Sequence, residues 1–180
     1  MTPHDPGGRA LPLPPGIRSR AIFGGPGGCY RYELEWAWDP SRPALLFLGM
    51  NPSTASHLAG DATVAKMHRL ARGWGHDKLL VGNASAYRCT DQSRLAEVPD
   101  PVGPLNAAHV LAMAQEAVLI VVGYGKPKHA ACRAHGPALC RLLVARGFAL
   151  HAVRVLPDNT PGHPLYLKEQ GLLPVPWRPD

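Results

Sequence analysis

The sequence predicts an α/β fold in which a central, mostly parallel sheet lies between two layers of helices. Three short runs, at 44–48, 79–82 and 118–122, carry no charged or polar side chain, as expected of strands covered on both faces. Helical patterns alternate with these runs, which favours βα crossovers with helices on both faces of the sheet. The length of 180 residues suits one domain with a substantial core.

The first predicted elements are a tail and two strands. Five prolines within residues 1–20 oppose both helix and sheet, so we expect residues 1–28 to form a flexible Pro/Gly-rich tail. From Tyr30 to Trp38, bulky residues alternate with charged ones, which indicates a strand with one solvent-facing surface. The first fully apolar strand, 44–48, ends abruptly at Gly49.

The later elements alternate between helices and strands. Apolar residues recur at helical spacing in 63–72, 105–116 and 128–145, which predicts three helices. A last strand is predicted at 148–156. Residues 171–180 contain three prolines and are expected to form a second tail, which leaves a single domain over 29–170.

Composition excludes several classes of protein. Apolar residues make up 46% of the chain, which excludes a disordered protein, and no apolar run is long enough to span a bilayer. The first 20 residues lack the apolar core of a signal peptide, so we expect a cytoplasmic protein with free thiols. We also expect a monomer without a cofactor. Cys132, His135 and Cys140 fit no standard zinc spacing, so no metal site is predicted.

The basic charge permits an anionic partner. The net charge is +6 and the pI is about 9.4, which suits nucleic acid or a nucleotide-like ligand. The alternative explanation is a GC-rich genome, which raises arginine together with alanine, glycine and proline. Charge alone leaves both explanations open.

The candidate site is formed by four loops that we expect at the ends of strands. Ligands of open α/β sheets bind beyond the carboxyl ends of the strands, and these loops are polar, aromatic or Gly-rich, as in a pocket for a planar, hydrogen-bonding ligand. The loops are 49–54, 82–88, 123–126 and 160–166. Each also has a purely structural explanation: Asn51-Pro52 can form a turn, Asn83 can cap the next segment, and His163 can be a surface histidine.

The order of these motifs resembles a family of bacterial and phage proteins known as domain of unknown function 1643. The resemblance extends from about Tyr30 to Leu167. It is carried by Leu48-Gly49-Met50-Asn51-Pro52-Ser53-Thr54, Asp61 with Thr63, Trp74-Gly75, Asn83 with Tyr87-Arg88, Asp100-Pro101-Val102-Gly103-Pro104 and Gly162-His163-Pro164-Leu165-Tyr166-Leu167. This family name implies no activity.

A more distant resemblance, to the uracil-DNA glycosylase superfamily, implies a three-layer fold of that type and a function. Carried over to this sequence, Asn51 would orient the hydrolytic water, Asn83 would bind the base edge, and His163 would stabilise the departing base. Leu165 or Tyr166 would fill the space that a flipped base leaves in the stack. The resemblance implies a DNA N-glycosidase that hydrolyses the base–sugar bond of a flipped base, including a modified one, in DNA repair or modification.

This chemistry is coherent and suggests further site residues. Once the base is flipped into the pocket, bond cleavage builds positive charge on the sugar and negative charge on the base. A bound water is then sufficient to attack the cationic sugar, and a neutral hydrogen-bond donor is sufficient to stabilise the departing base. Asp61 is a third catalytic candidate beside Asn51 and His163. The base-binding candidates are Met50, Asn83, Tyr87 and Tyr124. The candidates for contact with phosphate or other parts of the nucleic acid, DNA in preference to RNA, are Ser53, Thr54, Arg88, Lys126, Lys128, Leu165 and Tyr166.

Departures from the superfamily pattern keep two alternatives open. Leu165 stands where a serine usually follows the His-Pro pair, and Val64 lies where the superfamily stacks an aromatic residue on the base. Asp61 and Asp91 are additional carboxylates that suit another way of activating water. One alternative is an enzyme acting on free nucleosides, nucleotides or RNA. The other is a nucleic-acid-binding module without catalysis on the same fold.

Overall fold

A computed structural model describes residues 7–127, 129–168 and 171–180 of the chain. Within them, seven strands form one sheet in the spatial order β1-β2-β4-β3-β5-β6-β7. The strands are β1 (Arg18–Gly24), β2 (Tyr30–Ala37), β3 (Ala44–Gly49), β4 (Lys78–Asn83), β5 (Ala117–Val122), β6 (Leu150–Ala152) and β7 (Val175–Trp177). The α-helices are α1 (Ala62–Gly73), α2 (Asn106–Glu116) and α3 (His135–Ala145).

The sheet is mixed, which corrects the mostly parallel sheet that the sequence predicts. The four central strands β4, β3, β5 and β6 are parallel, and β1, β2 and β7 add antiparallel pairs at the two sides. The α/β class itself is confirmed. The difference arises because β2 joins the sheet beside β4 in the antiparallel sense, and because both outermost strands lie in segments predicted to be tails.

Both predicted tails contribute a strand to the sheet, which corrects the prediction that the whole of 1–28 is flexible and that 171–180 lies outside the domain. In the first, β1 pairs with β2 along its whole length, and Leu11 exchanges two backbone hydrogen bonds of 2.8 Å with Gly60. In the second, β7 pairs with β6, and Trp177 is buried opposite Leu150. The prolines do not prevent this pairing, because outermost strands leave one edge unpaired, where a missing N–H costs nothing.

Apolar side chains cover both faces of the sheet. On one face, α1 packs through Val64, Met67 and Leu70 against a cluster that includes Leu45 and Phe47. On the other face, α2 and α3 pack over a second cluster, which includes Leu46, Leu48, Leu80, Val110, Met113, Leu139, Cys140 and Leu143. This double burial explains the fully apolar runs in β3 and β4 and the buried end of β5 from Ile120 to Val122.

Helices α1 and α2 confirm the predicted helices to within one residue at either end, whereas α3 and β6 are shorter than predicted. Asp61 caps α1, since its Oδ1 accepts a 2.8 Å hydrogen bond from the Val64 N–H. Helix α3 begins at His135 rather than at 128, because Ala130–Cys132 forms a separate 3₁₀ turn. Strand β6 ends at Ala152, and the chain then folds back so that Val155 pairs with Pro161.

A β-bulge changes the direction of the start of β2. The register between β1 and β2 shifts so that Phe23 pairs with Arg31 while Ile22 pairs with Glu33, which leaves Tyr32 without a partner on β1. Arg31 therefore shares a face with Leu34, and its side chain is 2% exposed. Strict alternation placed Arg31 on the solvent-facing side of the strand, and the bulge corrects that expectation.

Two further findings concern the chain as a whole. No helix among the described residues is both long and apolar enough to cross a membrane. All four cysteines are buried free thiols, in agreement with the prediction.

Acid is expected to destabilise the fold through His68. Its ring stacks on Trp38 at 4.2 Å, and burial, with smaller effects of Arg72 and Arg69, lowers its pKa to about 4. The unfolded chain therefore binds a proton near pH 6.5 that the fold excludes, so this stability is complete above 6.5 and is lost as the pH falls towards 4. Between pH 7 and 5 the wild type should lose about 2 kcal/mol more free energy of unfolding than His68→Phe.

Denaturant unfolding of both proteins at the two pH values measures this difference. His57→Phe, which removes an exposed histidine, is the matched control and should keep the pH dependence of the wild type. Equal pH dependence in His68→Phe and wild type would contradict the assignment.

Candidate functional site

A cleft of 870 Å³ opens beyond the carboxyl ends of the central strands. Three of the four predicted loops contribute to its walls. The contributing residues are Asn51, Ser53 and Thr54 after β3, Tyr124, Gly125 and Lys126 after β5, and Gly162, His163, Leu165 and Tyr166 from the last loop. Further wall residues come from the N-terminal segment, the start of α1 and the chain after the second loop.

A small inner chamber of 70 Å³ adjoins this cleft. Asn51, Asp61 and His163, the three catalytic candidates, line both the cleft and the chamber. Two base-binding candidates, Met50 and Asn83, line the chamber alone. Residues that are more than a hundred positions apart in the sequence are thus brought to one site.

The side-chain amide of Asn51 is held by its nitrogen. Its Nδ2 donates to the carbonyl oxygens of Cys89 at 2.8 Å and Pro52 at 3.1 Å. Because both neighbours are acceptors only, the NH₂ group must face them, and Oδ1 is oriented away from them. The half-buried Asn51 therefore offers a fixed carbonyl oxygen, which is an acceptor suited to orienting a water molecule.

His163 is a neutral hydrogen-bond donor at this site. Its Nδ1 accepts from the Leu165 N–H at 3.3 Å, which places the proton of the neutral ring on Nε2. Burial lowers the pKa of His163, and the opposing effect of the Asp61 carboxylate is smaller. His163 packs closely against Gly125, since a Cβ at that glycine would lie 2.9 Å from the His163 Cβ.

Asn83 ends β4 at the inner chamber with a donor that has no partner. The residue is 3% exposed, and its Nδ2 is buried without a hydrogen bond. The neighbouring Asn106 donates instead to the backbone carbonyl of Asn83 at 3.0 Å, which fixes the strand end. An unpaired buried amide is costly, so this donor is well suited to an acceptor on a ligand.

Asp61 and the last loop are connected through α1. Asp61 caps the helix at the mouth of the chamber, and one turn further along α1, the buried Lys66 donates to the Leu167 carbonyl at 2.6 Å. This bond holds the loop that carries His163 against the helix that carries Asp61.

The candidate phosphate contacts differ in their surroundings. The hydroxyls of Ser53 and Thr54 are 3.3 Å apart at the cleft wall, and Gly8 lies directly against Thr54. Lys126 is exposed but donates to Asp158 at 2.6 Å, a bond that lowers the pKa of Asp158 to about 2. Lys128 lies outside the described residues.

Two hydrophobic candidates project at the rim of the cleft. Tyr166 is 81% exposed and Leu165 is 40% exposed. Exposure of an aromatic ring to this degree is unusual for a residue that only supports the fold, and it leaves the ring available to a partner.

The other aromatic candidates are buried. Tyr124 lines the cleft at 6% exposure, and burial raises its pKa well above the ordinary range, so its phenol stays protonated. Tyr87 packs edge-to-face on Tyr30 in the core and is absent from the walls of both cavities. Neither ring is exposed as Tyr166 is.

Arg88 also lies outside both cavities. Its guanidinium donates to the Gly28 carbonyl at 3.1 Å and lies over the Phe23 ring, 4.8 Å from the centroid. These contacts join the chain after β4 to the bend between β1 and β2.

The structure adds two arginines to this site, Arg31 and Arg154, that the sequence pattern does not indicate. Arg31 lines the inner chamber, and Arg154 lines the outer cleft, where Arg9 of the N-terminal segment joins it. No local pattern indicates Arg31, because its position depends on the bulge. The sequence predicts a strand through Arg154, whereas β6 ends two residues before it, at Ala152.

No group of three or more histidine, cysteine or acidic side chains in the described part of the chain is arranged to hold a metal ion. Cys132, His135 and Cys140 take part in packing instead. His135 Nδ1 hydrogen bonds with the Ser85 hydroxyl at 2.8 Å, and burial raises the pKa of both thiols.

Comparison with known proteins identifies one family. Neither the curated proteins nor the solved structures include a significant match to this chain. The model of a family described as "protein of unknown function (DUF1643)" matches residues 31–165, which include all of the cleft except part of the N-terminal segment and the last residues of the final loop. The chain therefore belongs to this family.

Proposed function

We propose that this protein is a nucleobase-recognising hydrolase that cleaves the bond between a base and its sugar in DNA. One observation carries the proposal: the Asn51 carbonyl, the Asn83 amide and the neutral His163 imidazole line one connected cavity. A water acceptor, a base-edge donor and a donor for the departing base are the groups that this reaction requires. The resemblance to the uracil-DNA glycosylase superfamily supports the same roles.

The proposed reaction divides the work among these groups. The N-glycosidic bond breaks with its electron pair leaving on the base, and His163 Nε2–H stabilises the negative charge by hydrogen bonding to the base. Asn51 Oδ1 holds a water whose oxygen bonds to the sugar C1′. The Asp61 carboxylate favours the cationic sugar and accepts the proton that the water releases. The base then takes a proton from solvent.

DNA is the favoured substrate because of the rim of the cleft. Tyr166 is exposed beside His163, where an aromatic ring can stack on bases next to a flipped nucleotide. Arg9 and Arg154 supply positive charge on the walls, where a phosphate backbone would pass, whereas the charge of Lys126 is already paired with Asp158.

A free nucleoside or nucleotide is the second candidate substrate. One observation favours it: the N-terminal segment lies against the loop after β3, with Gly8 in contact with the hydroxyls of Thr54 and Ser53. A small substrate enters the cleft without displacing this segment, whereas a duplex that contacts Ser53 and Thr54 has to displace it.

Base release from oligonucleotides and nucleosides tests the proposal. Mass spectrometry should detect free base when the protein is incubated with a duplex that carries one of a panel of modified or deaminated bases. Tyr166→Ala should lower release from duplex by about 5- to 150-fold, since stacking on an aromatic ring is worth about 1–3 kcal/mol per base. Release from nucleosides should be unaffected by this substitution.

The outcomes separate the candidates. Release from nucleosides alone would favour the second substrate class. The absence of release from both kinds of substrate would contradict the hydrolase proposal. Leu173→Ala, which removes another exposed apolar side chain that does not line the cleft, is the matched control and should leave both rates unchanged.

A further inference from the structure

Two residues that line the inner chamber each carry a buried donor that has no partner. Arg31 is 2% exposed, and its Nε is buried without a hydrogen bond, as is the Nδ2 of Asn83. Both residues line the chamber. They arrive from neighbouring strands, since β2 pairs with β4. Two unpaired buried donors in residues beside one chamber indicate that an acceptor from a ligand belongs there, because folded proteins leave few buried donors unpaired.

The rest of the Arg31 guanidinium is already bound to the site. Its Nη1 donates to the Ala55 carbonyl at 2.9 Å, which joins the start of β2 to the loop that carries Asn51. This bond uses Nη1 and leaves the Nε–H group without a partner in a residue that lines the chamber. The arginine therefore has both an anchor that fixes its position and a donor that is still available.

Arg31 also brings a full positive charge to the chamber. Burial lowers its pKa to about 10, and the Asp61 carboxylate acts in the opposite direction, so the guanidinium remains charged at neutral pH. No ion pair joins Arg31 to a carboxylate among the described residues. A group that is electron-rich, or that gains negative charge during the reaction, would compensate this buried charge.

We propose that Arg31 and Asn83 form a two-donor subsite that binds carbonyl oxygen on the leading edge of the base, with Arg31 setting the preference for oxo over amino rings. An amino group at the same place would direct its own N–H groups at the two protein donors. Both the amino group and the two donors would then lack a hydrogen-bond acceptor. The inference rests on the proposed function, because it assumes that the cavity binds a nucleobase.

The positive charge has a second consequence for the reaction. A departing base carries negative charge that is delocalised onto its carbonyl oxygens, so the guanidinium stabilises the transition state more than the bound base. Arg31 would then act on the inserted edge of the ring while His163 acts from the wall of the outer cleft.

Equilibrium binding of matched free rings tests the subsite without requiring turnover. Calorimetric titrations compare hypoxanthine with adenine and uracil with cytosine, since each pair differs in an oxo or amino substituent. The wild type should bind the oxo member of each pair more tightly. Arg31→Gln should weaken binding of the oxo rings by about 10- to 100-fold, the range expected for a hydrogen bond from a charged donor, and should leave the amino rings unchanged.

Further variants keep the test decisive. Arg146→Gln alters an exposed arginine after α3 and should bind every ring as the wild type does. Thermal unfolding without ligand shows whether Arg31→Gln folds. If it does not, Arg31→Lys carries the test, because it keeps the charge but lacks the planar Nε–H donor, and its affinity for oxo rings should fall about 10-fold.

The possible results are distinguishable. Oxo rings that bind equally to the wild type and to a folded Arg31 variant would overturn the Arg31 subsite while leaving the proposed function intact. Tighter binding of the amino rings to the wild type would also overturn the subsite. If none of the four rings binds to the wild type, the subsite and the nucleobase function are both contradicted.

Discussion

Replacement of Asn51 by alanine is expected to slow base release by a factor of about 10²–10³, the magnitude found when one preorganised polar group is removed from an active site. The physical reason is the loss of Oδ1, the acceptor that holds the attacking water. The Nδ2 bonds to Cys89 and Pro52 fix the position of that oxygen, so its effect depends on the whole amide. Single-turnover kinetics on the best oligonucleotide of the panel measure the change.

The control for this prediction is stability. Asn51 is half-buried and joins two backbone carbonyls, so its removal should cost only about 1–2 kcal/mol of unfolding free energy. Gln115→Ala, at an exposed position in α2, should change neither rate nor stability. A folded Asn51→Ala protein that releases base at the wild-type rate would exclude the proposed role of Asn51.

Replacement of Phe47 by alanine is expected to lower the free energy of unfolding by about 3–5 kcal/mol. Phe47 lies in β3, the central strand, with no exposed surface, and its ring is stacked with that of Trp74 at 6.4 Å. Removal of the ring leaves a cavity between the sheet and α1 that rigid strands cannot close. Urea or guanidinium unfolding monitored by circular dichroism measures the loss.

A matched control lies on the neighbouring strand. Val118 of β5 is 65% exposed, so Val118→Ala should change the unfolding free energy by less than about 0.5 kcal/mol. A loss below 1 kcal/mol in Phe47→Ala would show that the space between β3 and α1 is not packed as described.

Elements with strong local patterns were predictable from the sequence. The apolar runs identify β3, β4 and β5, and burial on both faces accounts for the lack of polar side chains everywhere in these runs except at the exposed start of β5. The rule that ligands bind at the carboxyl ends of parallel strands then brings Asn51 and Asn83 to one edge of the sheet. His163 is predicted at the same edge of the sheet, because the last loop returns to it.

Elements that depend on distant pairing were not predictable. Strand β1 is stabilised by its pairing with the outer edge of β2. Its own sequence follows a Pro-rich segment, which obscures the local strand pattern. The short β7 contains Pro176, which by local rules argues against a strand. Both were assigned to tails because each is stabilised by the sheet rather than by its own residues.

The bulge in β2 had the largest consequence for the site. An alternating pattern predicts the face of each residue only while the register is constant, and one unpaired residue, Tyr32, moves Arg31 to the buried face. Arg88 is the opposite case: it lies in a predicted site loop, but its guanidinium contacts Gly28 and Phe23 and does not line the cavity. The sequence indicates which loops meet, but not which of their cations face the cavity.

A crystal structure of the protein soaked with hypoxanthine tests the central claim most directly. We expect a ring in the cleft between Asn51 and His163, with a carbonyl oxygen within about 3 Å of both Arg31 Nε and Asn83 Nδ2. A ring bound elsewhere on the protein, or one in the cleft with its carbonyl oxygen directed away from these two donors, would contradict it.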